Sequence, residues 1–503
     1  MAFKLRRKLP DAFYNPTSYV GMTIFALSLC MIFFLYVLDS FAGGGNAYMG
    51  LITWILLPGV MLFGLAVAFA GLIRTSKRIK RGEAAKPLPV LDFNDRKHRS
   101  AFSMFLFGGL FLMLLSGFGS YQAYEYTEST KFCGETCHSV MKPEYVAYQH
   151  SPHANVRCAE CHIGSGADWY VKSKISGSYQ VYSVLFNKFS RPIETPVHNL
   201  RPAKETCEHC HWPNHFYSQK LLDKTYYLSD EDNSEGQFSM LMKIGGTEQG
   251  ASEGIHAHMY IDNEISYIAT DRQRQIIPYV ESKDKNGKVT VYRNMDLMPP
   301  TELELKKGEK RIVDCIDCHN RPSHQYRPPE TTINKALANG SIPTKLPEIK
   351  MVAAQALEKE YKTEGEALQA IQADVDKYYR ENYADRYEGM KGDIQKAIAS
   401  IQNIFRTNYF PEMKVSWKGY PDNLNHLHSR GCFRCHTGKH VSDDGKVIGN
   451  DCQTCHTILS QKPPGLERET DVKGLVFKHP IDIGDAWKEG LCMDCHGPPA
   501  KEE

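Results

Sequence analysis

The chain has 503 residues, with 60 Lys+Arg against 58 Asp+Glu, 15 Cys and 20 His, and its length allows several domains. Its 42% hydrophobic and 23% charged residues exclude wholesale disorder. The near-neutral charge excludes a strongly basic nucleic-acid binder.

Three uncharged apolar runs come first, at 20–38, 49–73 and about 101–118. Each is long enough to cross a bilayer as a helix. Lys4, Arg6, Arg7 and Lys8 precede the first run, and Arg74, Lys77, Arg78, Lys80, Arg81, Lys86, Arg96, Lys97 and Arg99 separate the second from the third. The turn between the first two carries only Asp39. The positive-inside rule therefore predicts an integral membrane protein of the inner membrane with a cytoplasmic N-terminus. Residues 1–124 form its three-helix anchor, and everything after about Glu125 lies in the periplasm.

The cysteines follow. Six pairs read C-x-x-C-H: Cys158/Cys161/His162, Cys207/Cys210/His211, Cys315/Cys318/His319, Cys432/Cys435/His436, Cys452/Cys455/His456 and Cys492/Cys495/His496. A seventh, ahead of these, is stretched by one residue, with Cys133 and Cys137 before His138. This spacing is the attachment signature of c-type haem: two thiols add to the porphyrin vinyl groups, and the next residue brings an imidazole to the iron. A structural zinc site uses paired cysteines too, but has no need of a His directly after the second Cys seven times over. Seven covalent haems are expected, with the seven motif-final histidines as proximal ligands.

Motifs one to three crowd into 133–211, and about a hundred residues separate them from motif four. That gap holds strand-like stretches, His258-Met-Tyr-Ile-Asp and Lys288-Val-Thr-Val-Tyr, with a turn at Asn286-Gly. Ile371, Val375 and Tyr378, then Ile394, Ala397, Ile398, Ile401 and Ile404, recur at helical spacing. The organisation predicted is a four-haem module over 125–345 with a β insertion at about 216–310, a helical linker over 346–410, and a three-haem module over 411–503. The fold class expected is mainly α with little regular structure, the haems themselves serving as core.

Each iron needs a second axial ligand or an open site. Twelve further histidines lie on the periplasmic side: His150, His153, His198, His209, His215, His256, His258, His324, His426, His428, His440 and His479. His256/His258 and His426/His428 are expected to give one ligand per pair, with His258 and His428 as candidates beside His440 and His479. Met141, three residues after His138, is a candidate for the first haem and would raise its potential. All seven motifs end in His, which favours electron transfer over small-molecule reduction.

Only eight residues separate Glu125 from Cys133, so the first haem is expected at the membrane surface. The donor found there is a lipid-soluble quinol from the membrane pool. Its oxidation releases two electrons and two protons and requires a base nearby. Asp168, Lys172 and Lys174, just after the second motif, are the candidates.

Residues 121–211 resemble the NapC/NirT/NrfH family of membrane-anchored multihaem quinol dehydrogenases. Tyr145, Tyr148 and His153 fall on that family's offsets from the first haem His, which implies His153 as a distal ligand, in the family to the fourth haem. His324, five residues after His319, matches the family's distal His after its fourth motif. Lys174 falls near a family Lys of the quinol site. The family usually has one anchor helix, and its first motif is one residue shorter. The overall layout resembles a heptahaem inner-membrane branch from metal-reducing bacteria. The resemblance implies menaquinol oxidation with electrons passed to periplasmic c-type cytochromes. A terminal reductase of a small oxyanion, or a subunit feeding a dedicated partner enzyme, are the alternatives.

Overall fold

The computed structural model describes residues 11–41, 53, 56–83, 92–136, 138–164, 167–196, 202–211, 219–245, 254–259, 263–297 and 310–498. It divides into two compact units, Met1–Phe132 with Cys158–Tyr179, and Cys133–Arg157 with Gln180–Glu503.

The first unit holds helices α1 (Pro16–Phe41), α2 (Leu57–Lys80) and α3 (Arg96–Thr127), all long and apolar enough to cross a membrane. Residues 49–55 of the predicted second run lie outside the described residues, apart from Thr53. Close approach of α1 to α2 depends on small residues. A Cβ on Gly21 would stand 2.4 Å from Ala68 N and Gly64 O, and one on Gly71 would meet Ser18 Oγ at 2.6 Å. Without a hydrophobic drive between helices in lipid, such backbone contact and polar pairing hold spans together. The Ser18 hydroxyl donates to the Ala68 carbonyl at 2.9 Å. Asp95 caps α3 by accepting from Lys97 N at 2.8 Å.

The second unit opens with α4 (His138–Gln149), which packs its Val140 and Ala147 into a large apolar core. That core belongs to α6 (Pro329–Ala338), α7 (Ile349–Glu358), α8 (Glu364–Asn382) and α9 (Tyr387–Asn408), which follow α5 (Ala167–Leu185) in the chain. Ile333, Ile349, Ile371, Val375, Tyr379, Ile394 and Ile401 are all fully buried there. The expected helical linker is thus a packed bundle beginning before residue 346, with a protein core of its own. The 3.6-residue period puts Tyr379 inside, while Tyr378 turns its hydroxyl to Glu348.

Two sheets complete this unit. β1 (Gln219–Tyr227) and β2 (Glu235–Lys243) form a hairpin, and β3 (Asn263–Ile268), β4 (Tyr279–Asp284), β5 (Val289–Asn294) and β6 (Arg311–Ile312) follow. β7 (His440–Ser442), β8 (His456–Lys462) and β9 (Glu469–Thr470) come from the C-terminal segment. The orders are β1-β2-β8-β9 and β6-β3-β4-β5-β7, all pairs antiparallel. Strands of the insertion therefore pair with strands that carry motif six and flank motif five. The Asn286-Gly turn is present: Gly287 takes φ +79°, and the Asp284 carboxylate accepts from Asn286 N and Lys288 N, both at 2.9 Å. The stretch starting at His258 is not a strand. Ile255–Met259 is a 3-10 turn, and β3 begins at Asn263.

Candidate haem sites and the membrane-edge site

Among the described residues no motif cysteine forms a disulfide, so each thiol keeps its sulfur for another bond. Cys137 and the side chain of His138 lie outside the described residues, as do His198 and His215. The six C-x-x-C pairs each divide into one half-buried and one exposed thiol. Cys161, Cys210, Cys318 and Cys495 are the exposed members of motifs two, three, four and seven, against half-buried Cys158, Cys207, Cys315 and Cys492. In motifs five and six it is the first thiol, Cys432 and Cys452, that is exposed, and Cys435 and Cys455 are half-buried. The haem sites stand beside a protein core: the helices α6 to α9 bury an apolar cluster of their own.

Five of the other motif-final histidines each face a second imidazole. The ring centroids are 6.0 Å apart for His211 and His153, 6.4 Å for His319 and His256, and 5.9 Å for His436 and His258. They are 6.2 Å apart for His456 and His426, and 6.1 Å for His496 and His479. An iron–imidazole bond of about 2 Å on each side, plus about 1 Å from each nitrogen to its ring centre, sets two axial imidazoles about 6 Å apart. The spacing fits a haem iron between each pair.

Iron takes the neutral imidazole, and burial favours that form. It pushes the pKa of His426 down to about 4, with His456 and Lys224 adding to the shift. Burial likewise lowers His319, with His256, His211 and His153 contributing. His436 is lowered by burial too.

These placements differ in part from the sequence expectation. His153 stands beside the His of motif three, not motif four. His256 and His258 both face a motif histidine, because residues two apart on a 3-10 turn project about 240° apart, whereas a strand would put them on one side. Of the other doublet it is His426 that faces a motif ring. His428 directs Nδ1 to the His496 carbonyl at 2.8 Å and packs edge-on to Trp417. His440 is fully buried with Nε2 on the Ile277 carbonyl at 2.8 Å, so a protein group already holds the nitrogen expected to reach iron. His324 has Nδ1 3.0 Å from the Glu144 carbonyl, a contact that orients its ring. Met141 lies half-buried on the first turn of α4.

The attachment loops interlock. Asp314, next to motif four, accepts from Ala203 N, ahead of motif three, at 3.1 Å. Asp317, inside motif four, is 3% exposed and accepts from Tyr267 Oη at 2.6 Å and Arg311 Nε at 2.7 Å. Its carbonyl accepts from Arg434, inside motif five, at 2.5 Å. The turn carrying His426 and His428 touches motif six and motif seven.

At the end of α3 in the first unit, the buried Glu128 carboxylate pairs with the Lys174 ammonium. Lys174 sits two residues along α5 from Lys172, whose ammonium lies 4.7 Å above the Trp169 ring. Asp168 is on the first turn of α5, and its side chain lies outside the described residues. Glu128 escaped the sequence reading. Its signal is an acid placed just beyond the last apolar residues of a span.

Residues 95–205 match the model of the NapC/NirT cytochrome c family, N-terminal region. The chain is 41% identical over 499 residues to the cytochrome c-type protein ImcH of Geobacter sulfurreducens, covering 99% of this chain and 97% of that one. It is 28% identical over 106 residues to the cytochrome c-type protein NrfH of Wolinella succinogenes, covering 20% of this chain and 58% of that one. No solved structure matches the chain.

Proposed function

The chain belongs to the NapC/NirT cytochrome c family, and from that premise we propose that it oxidises menaquinol at the membrane edge and delivers the electrons to periplasmic c-type cytochromes. It is a membrane-bound c-type cytochrome with covalent haem c. The finer reading has seven haems on the seven motifs, an inner-membrane anchor with a cytoplasmic N-terminus, and the haem-bearing part in the periplasm. Haem c, when bound, supplies one-electron carriers.

The observation that carries the reading is the Glu128–Lys174 pair at the outer end of α3, in the same compact unit as Cys158 and His162. A quinol gives up two electrons and two protons. Glu128, as carboxylate, is placed to take a proton from a quinol hydroxyl, and the Lys174 ammonium to hold the oxygen as that proton leaves. Lys172 and Asp168 complete the polar group on α5. Distal ligation is assigned to His153, His256, His258, His426 and His479, with Met141 and His324 as the further candidates. Five motif histidines already facing a second imidazole disfavour a reductase that needs an open iron.

The test is rapid mixing of the oxidised, detergent-purified protein with a water-tolerant menaquinol analogue, following the haem absorption bands. Fast reduction blocked by a quinone-site inhibitor is expected. If the analogue fails to reduce a sample that dithionite reduces fully, electrons enter from another protein and the reading falls.

A further inference from the structure

Helix α5 is built inside out for a helix in water. Its exposed side chains include Val171, Ile175, Tyr179, Tyr182 and Leu185, with Ile175 68% and Leu185 75% exposed, and Phe186 follows directly. At 100° per residue these six fall within roughly a third of the circumference, a continuous apolar stripe. From Val171 on, the residues this helix turns inward are Ser173, Lys174, Gly177, Ser183 and Val184, mostly small or polar. A helix packed on a water-soluble body has the reverse arrangement. An exposed stripe of this size marks a contact surface.

What covers it follows from where the helix is tied. Lys174, on the second turn of α5, pairs with Glu128, the residue that directly follows α3. α3 is itself apolar and long enough to span a bilayer. Lys174 is therefore held where that span leaves the hydrocarbon. Basic groups flank the stripe: Lys172 and Lys174 near its start, Lys188 and Arg191 beyond its end. Two tyrosines, Tyr179 and Tyr182, lie within it. Apolar stripe, basic margins and tyrosines are the composition of a helix lying in the membrane interface.

We propose that α5 lies on the bilayer, with Val171, Ile175, Tyr179, Tyr182, Leu185 and Phe186 immersed in the acyl boundary and its lysines among the headgroups. The occupant of this surface is lipid. This goes beyond the assignment of menaquinol as donor and stands whether or not that assignment holds.

The test is photo-crosslinking of the holoprotein in nanodiscs of phosphatidylethanolamine and phosphatidylglycerol. p-Benzoylphenylalanine is placed singly at Ile175, at Leu185, at Phe111 on α3 as a membrane control, and at Lys377 on α8 as an aqueous control. After irradiation, peptides are analysed by mass spectrometry. Lipid adducts at 175 and 185 are expected in yields comparable with 111 and about tenfold or more above 377, as an apolar face sunk into the acyl boundary requires. Adducts to a second copy, to another protein or to the chain's own residues and haem, in place of lipid, overturn the proposal. So does the absence of any adduct at 175 and 185 while 111 reacts.

Discussion

His256 and His258, two residues apart on a single 3-10 turn, face the imidazoles of two different attachment motifs, His319 at 6.4 Å and His436 at 5.9 Å between ring centroids. A short, stiff turn thereby reaches both sites and holds them near one another. The bond from Arg434 to the Asp317 carbonyl ties the same two motifs from behind. If each imidazole ligates its own iron, His256→Ala and His258→Ala each convert one low-spin haem to high spin, and the double variant converts two. EPR and resonance Raman spectra count the high-spin irons, while a pyridine haemochrome assay checks that the haem content is unchanged. A single variant that leaves every iron low-spin removes that histidine from the ligand set.

The Glu128–Lys174 pair supports a prediction about rate. Glu128→Gln keeps the shape and removes the base, and Lys174→Met removes the cation. Each should slow menaquinol-driven reduction by about 10²-fold or more, the usual worth of a positioned acid or base. Reduction by dithionite should be unaffected in both. Stopped-flow absorbance with the two reductants separates the outcomes. Equal slowing with both would mean that the variants disturb the haems rather than quinol oxidation.

The features plain in the sequence are those whose chemistry is local. Cys-x-x-Cys-His reads as haem attachment because thiols and imidazole must serve one porphyrin, and the spans read as spans because lipid demands unbroken apolar length. Ile371, Val375 and Ile401 lie inside at the helical period expected of them. Ligand pairing was not legible, because it joins residues distant in sequence. Two near-adjacent histidines look redundant until a 3-10 turn sends them apart. His440 looks as eligible as His479 until its Nε2 is found on the Ile277 carbonyl. The partner of Lys174 lies 46 residues away across a tertiary contact. Strands β7 and β8 belong to sheets begun by the insertion, a pairing that no short-range pattern records.

Asp317 gives a prediction about stability. Its buried carboxylate accepts from Tyr267 and Arg311, with Arg274 at 3.5 Å. Asp317→Asn keeps the volume but leaves the Arg311 guanidinium without its counter-charge. Breaking one side of a buried pair costs about 3 kcal/mol or more. Tyr267→Phe removes one hydrogen bond to the same carboxylate and should cost about 1–2 kcal/mol. Denaturant midpoints of the holoprotein, at matched haem content, should fall in that order. Equal midpoints for wild type and Asp317→Asn would show that the cluster adds nothing net.

The carboxylate of Glu330 stands 3.6 Å from Nδ1 of His496 and 3.8 Å from Nε2 of His428. Burial pulls its pKa up, but pairing with His496 and the charges of Lys350 and His428 prevail and hold it below the usual carboxylate range. A carboxylate behind a proximal imidazole makes that ring a stronger donor and places negative charge near the iron, so it stabilises the ferric state. Glu330→Gln removes the charge and keeps the shape. One haem should then titrate at a more positive potential, by tens of millivolts for an interaction on the order of 1–2 kcal/mol. Spectropotentiometry of the full chain reads the shift, and the His479→Ala background, in which the seventh haem is high-spin, identifies which wave moved. If Glu330→Gln leaves all waves in place, the carboxylate's field is lost to solvent. If it moves a wave other than that of the high-spin haem, the assignment of His496 and His479 to one iron is wrong.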